Sequence, residues 1–385
     1  MKPLASLVSV EDYRRRARSN LPRILFDYID GGSYDEVTLT RNVEAFRQAV
    51  LTQRVMVDVG QTDSRVTLFG QTMAAPLLCA PVGFAGMYAR RGEVQAARAA
   101  RKADLPFCLS TVGICSLEEV TEGAGTPPWF QLYMIRDRDG MARLLHRARD
   151  AGCPVLVLTA DLQTPGKRYA SVRSGMMRQL SFLEHVARLW DGATSPGWVW
   201  NVHLRGRPHA FGNLDGLLPE AADFATAWEW IGANFDPTVS WNDLEFIRQH
   251  WDRPIVLKGV MAPEDARLCV ERGVDGLVVS NHGGRQLDGG QASLHALPDC
   301  LDAVGGRIPV LMDGGVRSGL DVLKAYNAGA AATLIGRPWA YALGAGGEPA
   351  VTQLLESMKA ELRTAQVLSA THTLDRHMDG QDISP

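Results

Sequence analysis

The stretch richest in chemistry is Ser280-Asn281-His282-Gly283-Gly284-Arg285-Gln286. It follows Gly276-Leu277-Val278-Val279, an apolar run that reads as a buried strand. A strand ending in an imidazole, two glycines and a guanidinium puts a base and an anion clamp within one turn of chain. That set suits removing a proton from a small acid whose carboxylate is held by arginine. The glycines let backbone approach a flat ligand closely.

A second signature lies downstream. Asp313-Gly314-Gly315-Val316-Arg317 and Ile335-Gly336-Arg337 end the last two apolar runs with glycine N–H groups and arginines. These suit a phosphate, against the plainer reading of a tight turn after a strand. Lys258 ends the run Pro254-Ile255-Val256-Leu257 and either snorkels from a rim or is buried against a ligand. Asp161 either caps its loop or partners protonated His282, which would raise the histidine pKa. His146, His185, His203, His209, His250, His295, His372 and His377 read as structural. With no HxxxH, HExxH or carboxylate cluster, no metal is expected.

Something must hold these groups together. Short apolar runs recur at Pro76–Ala80, Phe107–Ser110, Trp129–Tyr133, Val155–Ala160, Ile255–Lys258, Gly276–Ser280, Ile308–Asp313 and Ala332–Ile335. Helical patterns lie between most of them, at Arg91–Ala103, Gly140–Ala151, Pro263–Arg272 and Gly319–Ala328. Gly152, Gly273 and Gly329 stand where helices stop. The alternation predicts an α/β fold, a (β/α)8 TIM barrel. A doubly wound sheet is the alternative, but no GxGxxG follows the first strand. In a barrel the C-terminal strand ends converge on one face. Those ends are Ala80-Pro81, Ser110, Gln131 with Tyr133, Thr159 with Asp161, Lys258, Ser280 with His282 and Arg285, Asp313, and Gly336-Arg337.

The barrel is expected over 76–345, covered by an N-terminal helical segment, 1–75, that brings Tyr28 near the mouth. Ser9 with Asp12 marks one helix start there, and Leu21-Pro22 another. Residues 346–385 read as a helix, Pro349–Leu368, and a loose polar tail. Between the fourth and fifth strands lie roughly 95 residues, too many for an ordinary connection. Its core, 174–241, opens on a helix-like Met176–Leu183 and holds Trp190, Trp198, Trp200, Trp228, Trp230 and Trp241. Either it is a lid on the barrel or an anchor at a membrane surface.

Bulk properties exclude other classes. Hydrophobic residues make up 46% and charged residues 22% of 385, with net charge −3 and no basic cluster, which argues against nucleic-acid binding. Cys79, Cys108, Cys115, Cys153, Cys269 and Cys300 form no CxxC pair and read as reduced thiols. No apolar stretch is long enough to span a membrane, and the N-terminus does not read as a signal peptide.

SNHGGRQLDGG, DGGVRSG and LIGRP together resemble the FMN-dependent 2-hydroxy-acid dehydrogenase and oxidase family, from about Val8 to Leu368. FDYIDGGSYDEVTLTRN, APVGFAGMYARRGEVQAA, GRPHAFGN and NFDPTVSWNDLEFIR look closest to its bacterial respiratory L-lactate dehydrogenase branch. The resemblance implies oxidation of an L-2-hydroxy acid, L-lactate to pyruvate in this branch, with FMN as cofactor. His282 would accept the leaving proton, supported by Asp161. Arg285, Tyr28 and Arg168 would hold the carboxylate, and Tyr133 the hydroxyl. Lys258 would sit beside the pyrimidine side of the flavin and support negative charge there. Ser110, Gln131, Thr159 and Ser280 would bind the flavin edge, flanked by Pro81, Val82 and Gly83. Asp313 would take the ribityl chain, and Gly315, Arg317, Gly336 and Arg337 the phosphate.

Two positions depart from relatives. Val112 stands where glycolate oxidase has tryptophan, which implies a roomier pocket. Gly83 stands where oxidases commonly have alanine, as in the dehydrogenases. With no cytochrome-like extension before Val8, electrons would pass to quinone or a separate cytochrome at the inner face of a bacterial membrane. A homotetramer is implied by analogy. An oxidase using oxygen, or an (S)-mandelate-type dehydrogenase, is the alternative.

Overall fold

Eight short apolar segments form parallel strands whose near-complete burial reflects cover on both faces. The computed structural model describes residues 3–175, 195–218 and 224–374. A hairpin, β1 (Val66–Leu68) and β2 (Gln71–Met73), precedes β3 (Leu77–Cys79), β4 (Cys108–Ser110) and β5 (Trp129–Tyr133). Then come β6 (Leu156–Thr159), β7 (Ile255–Val260), β8 (Gly276–Val279), β9 (Val310–Asp313) and β10 (Thr333–Ile335). From β3 to β10 each strand pairs with its neighbours in chain order, and β10 pairs back on β3. The β3–β4 gap is closed by a parallel bridge, Cys79 to Phe107, with Cys79 N donating to the Pro106 carbonyl at 3.0 Å. This is the (β/α)8 barrel.

Register aligns the functional ends. Ser110 lies opposite Gln131, Tyr133 opposite Thr159, and Thr159 opposite Lys258. Between β7 and β8 the register shifts after Lys258. Gly259 there has φ +109°, and a Cβ on it would lie 2.7 Å from the Asp161 side chain. That glycine lets the Asp161 loop lie against the strand.

Helices Gly92–Lys102, Arg138–Asp150, Pro263–Glu271 and Gly319–Asn327 fall where periodicity placed them. So does the helix that follows a break of non-helical backbone at Gly346-Gly347 and ends at Ser369, matching the expected Pro349–Leu368. A further helical stretch begins at Arg337, directly after β10, and ends at that break; its N-terminal turn belongs to the barrel mouth, and periodicity did not mark it. The tail after Ala370 begins as ordered chain: Thr373 bridges Asp63 and Leu374 is buried. Residues 375–385 lie outside the described residues, as do Met176–Leu183 and Trp190.

The N-terminal segment is built as expected at its start. A capping box between Ser9 and Asp12 opens helix Val10–Asn20, and helix Arg23–Asp30 follows. Two further pieces went unread. Helix Val37–Gln48 packs on the mouth, and the β1–β2 hairpin covers the opposite end. Trp129 Nε1 donates to Gln71 Oε1 at 2.7 Å there. The insertion divides its aromatics. Trp198, Trp230 and Trp241 pack against the core, and Trp198 Nε1 donates to the Met87 carbonyl at 2.7 Å. Trp200 is 56% exposed, beside Leu204 at 51%, with the Arg205 guanidinium 5.1 Å above its ring.

Candidate active site

At the mouth the loop after β8 turns sharply. His282 has φ +57° and is followed by Gly283 and Gly284, also at positive φ. Such a conformation in a non-glycine residue persists only when its surroundings hold it. Here the His282 N–H donates to Ser280 Oγ at 3.1 Å, and Asn281 exchanges two 2.8 Å amide hydrogen bonds with Asn42 of the cover helix. Gln286 Nε2 donates to the carbonyls of Asp161 and Thr164, at 2.7 and 3.0 Å. It thereby pins the Asp161 loop to the histidine loop.

His282 Nδ1 lies 2.9 Å from Asp161 Oδ1. Burial would raise the Asp161 pKa, but His282 opposes this and keeps it below its ordinary value, so the carboxylate is ionised. An ionised carboxylate only accepts, so the imidazole proton sits on Nδ1 and Nε2 is bare. Burial lowers the His282 pKa below its ordinary value. Asp161 raises it as expected but is outweighed, with Lys258 and Arg168 adding repulsion. His282 is therefore neutral at physiological pH and ready to take a proton.

Lys258 is fully within the barrel rather than snorkelling from its rim. Its Nζ lies 2.9 Å from Asp313 Oδ2 and donates to Ser280 Oγ at 2.9 Å. Next to it runs a chain of side-chain amide and hydroxyl groups. Ser110 Oγ donates to Gln131 Oε1, and Gln131 Nε2 donates to Thr159 Oγ1, each at 3.0 Å.

Four arginines complete the mouth. Arg285 Nη1 donates to the Tyr28 and Gly31 carbonyls at 2.7 and 2.8 Å, while its guanidinium lies 4.8 Å from the Tyr28 ring centre. Arg168 lies 5.6 Å from the same ring, and burial, with Arg285 adding to it, drops its pKa to about 10. Arg337 donates to the carbonyls of Asp30, Gly31 and Gly283, and burial brings it to about 9. Arg317 is also lowered by burial and donates to the Val316 carbonyl. Among the described residues none of the four forms an ion pair. Guanidinium groups left without carboxylates in a partly buried mouth make a receptor for anions.

A family model described as FMN-dependent dehydrogenase matches residues 17–379. The chain belongs to the FMN-dependent dehydrogenase family. An L-lactate dehydrogenase from Caulobacter sp. is 51% identical over 368 residues, covering 96% of both chains. Another, from Actinobacillus pleuropneumoniae, is 47% identical over 366 residues and 95% of both. Among solved structures, a monotopic membrane protein, (S)-mandelate dehydrogenase, superposes with TM-score 0.89 at 31% identity, over 96% of this chain and 97% of that one. A mandelate oxidase gives 0.80 at 37% identity, over 95% and 96%.

The residues present fit the FMN of this family. Asp313 Oδ1 is buried with no hydrogen-bond partner among the described residues, while Oδ2 faces Lys258. That spare acceptor suits a ribityl hydroxyl. A Cβ on Gly336 would meet only Val82 and Ala80, at 3.7 and 3.9 Å, so space lies open beside the Pro81–Gly83 loop. The helix starting at Arg337 adds an N-terminal turn next to Arg317, a setting that favours phosphate. Gly315 has another reason to be glycine: a Cβ there would lie 2.1 Å from the Asn42 carbonyl oxygen. A Cβ on Gly83 would lie 2.8 Å from Val112 Cγ2, so the two departing positions touch.

Sequence reasoning missed Asn42, Gln286 and Thr111, whose Oγ1 donates to the Gln131 carbonyl at 2.6 Å. Gln286 stood inside the motif and carried a signal by position alone. Asn42 closed the FDYIDGGSYDEVTLTRN segment, but it lies 239 residues from Asn281 and nothing local marked the pairing.

Proposed function

We propose that this chain is an FMN-dependent L-lactate dehydrogenase that oxidises L-lactate to pyruvate and passes electrons to a quinone or cytochrome. The supporting observation is the neutral His282, its proton on Nδ1 toward Asp161, facing a mouth of arginines that lack carboxylates. The choice of lactate rests on relatives that carry that name at about half identity. FMN, when bound, accepts the two electrons released by the substrate.

The chain's own residues do the rest. Arg285, with Nε and Nη2 unused by the bonds to Tyr28 and Gly31, and Arg168 take the substrate carboxylate. Tyr28, between the two guanidinium groups, adds its hydroxyl. Tyr133 holds the substrate hydroxyl at the end of β5. His282 Nε2 accepts a proton leaving the substrate, and Asp161 stabilises the resulting imidazolium. Ser110, Gln131, Thr159, Ser280 and Lys258 line the flavin's polar edge; Arg317 and Arg337 hold its phosphate.

No helix among the described residues is long and apolar enough to cross a membrane. A peripheral position on the inner face of a bacterial membrane is supported by exposed Trp200 and Leu204 with Arg205 beside them. A mandelate-type substrate is the second reading, favoured by the small Val112 against Gly83. The deciding test is the visible spectrum of the purified protein without oxygen, before and after L-lactate, (S)-mandelate or glycolate. Fastest bleaching of a flavin band by lactate is expected. Bleaching by mandelate alone would replace the substrate, and no flavin band after adding FMN would end the proposal.

A further inference from the structure

Tyr133 closes β5 with its ring in the mouth, yet its hydroxyl makes no hydrogen bond among the described residues. Its direction must therefore be set by what packs on the ring. That neighbour comes from far away in sequence. Phe235 meets the Tyr133 ring edge to face, with centroids 5.3 Å apart and planes at 65°. Phe235 is buried and belongs to the end of the long insertion, just after helix Phe224–Asn234.

The insertion end is fastened to the chain leaving β5. Ile135 and Phe235 form an antiparallel bridge. Arg136 N donates to the Asn234 carbonyl at 2.9 Å, and Asp236 N to the Met134 carbonyl at 3.2 Å. Arg138 then clasps both sides. Its Nη1 donates to the Ile135 carbonyl at 2.6 Å, and its Nη2 reaches Asp236 Oδ2 at 2.6 Å and Asp243 Oδ1 at 2.8 Å. Asp236 spends its other oxygen on Thr238, accepting from N at 2.9 Å and Oγ1 at 2.6 Å. A clasp with a guanidinium and two carboxylates has little freedom to slide, so the ring on Tyr133 is held in one place.

We infer that Phe235 is a positioning residue for the reaction: the insertion, locked by Arg138, aims the Tyr133 hydroxyl at the substrate hydroxyl through the Phe235 ring. Edge-to-face packing fixes a ring plane in a way that an aliphatic side chain of similar bulk does not. The inference rests on the proposed role of Tyr133. It assigns the insertion a part in catalysis in addition to its covering and surface roles.

The test is a double-mutant cycle on the FMN-loaded enzyme with Phe235→Leu, Tyr133→Phe and both together. Two quantities are read: the anaerobic rate of flavin bleaching at saturating L-lactate, and the dissociation constant of pyruvate from its perturbation of the flavin spectrum. Phe235→Leu is expected to slow bleaching about tenfold while pyruvate affinity stays within about twofold, because the arginine clamp is untouched. In the Tyr133→Phe background the same change should cost less than about twofold. Equal losses in both backgrounds, or no loss from Phe235→Leu, would overturn the inference while leaving the role of Tyr133 intact. An undiminished rate in Tyr133→Phe would instead remove that role, and this inference with it. Should Phe235→Leu fail to retain FMN, Phe235→Met replaces it in the same cycle with the same expected pattern.

Discussion

Two buried base–carboxylate pairs sit side by side at the mouth, His282 with Asp161 and Lys258 with Asp313, each at 2.9 Å. Each carboxylate keeps one buried oxygen with no partner among the described residues. Their proton affinities nevertheless move in opposite directions. Burial lowers Lys258, but Asp313 and Asp161 together reverse this and raise it above its ordinary value. Burial also lowers His282, and there Asp161 alone does not compensate against Lys258 and Arg168. One pair holds a fixed positive charge and the other a neutral imidazole. The difference lies in how many carboxylates each nitrogen group sees, since the pair distances are equal.

Removing the base should give the largest loss. His282→Gln keeps polarity and size yet cannot accept a proton, and the bleaching rate with L-lactate should fall about 10⁴-fold. A fall under about tenfold would show that the two pairs are not functionally different. Lys258→Met comes next. It leaves Asp313 buried without its cation, and loss of one partner of a buried pair costs about 3–5 kcal/mol. Denaturant unfolding should show that drop together with weaker FMN retention. An unchanged unfolding midpoint would mean that Lys258 is not the fixed charge.

Asp161→Asn probes the same contrast more gently. The plateau rate should fall about 10²-fold, because the imidazolium loses its stabilising anion. The sign of the pH effect is set by Asp161 raising the His282 pKa. In the parent, kcat/KM should rise with pH through a midpoint below 6.5, and in Asp161→Asn that midpoint should move lower still. A midpoint that moves up would contradict the electrostatic account. The smallest effect is expected at Arg285→Lys. A point charge cannot copy bidentate carboxylate recognition, so KM for L-lactate should rise about tenfold with kcat less affected.

Much of the site was legible because strand ends of a parallel barrel share one face. From eight apolar runs, Ser110, Gln131, Thr159, Lys258, Ser280 and Asp313 follow as neighbours; the register places the first four so, and the contacts of Lys258 with Ser280 and Asp313 place the other two. The cover and insertion were less legible. Helix Val37–Gln48 and the β1–β2 hairpin have short patterns that resemble loops in isolation, and their stability comes from packing on the two barrel ends. The helical stretch before the Gly346-Gly347 break starts at Arg337 because β10 ends there, and periodicity did not mark it, unlike the helix that follows the break. Site residues such as Asn42 and Phe235 act over separations of 239 residues to Asn281 and 102 to Tyr133 (235 − 133), which local pattern does not encode.

Sequence by itself determined the barrel and which residue types stand at its motif-bearing strand ends. These follow from alternation of apolar runs and from residue chemistry at fixed spacing. Tertiary structure decided the proton's place. Whether His282 is charged depends on the balance between burial, one carboxylate and two nearby cations. Those groups and His282 come from three strand ends, β6, β7 and β8, so only the folded arrangement sets their distances, and the distances set the sign.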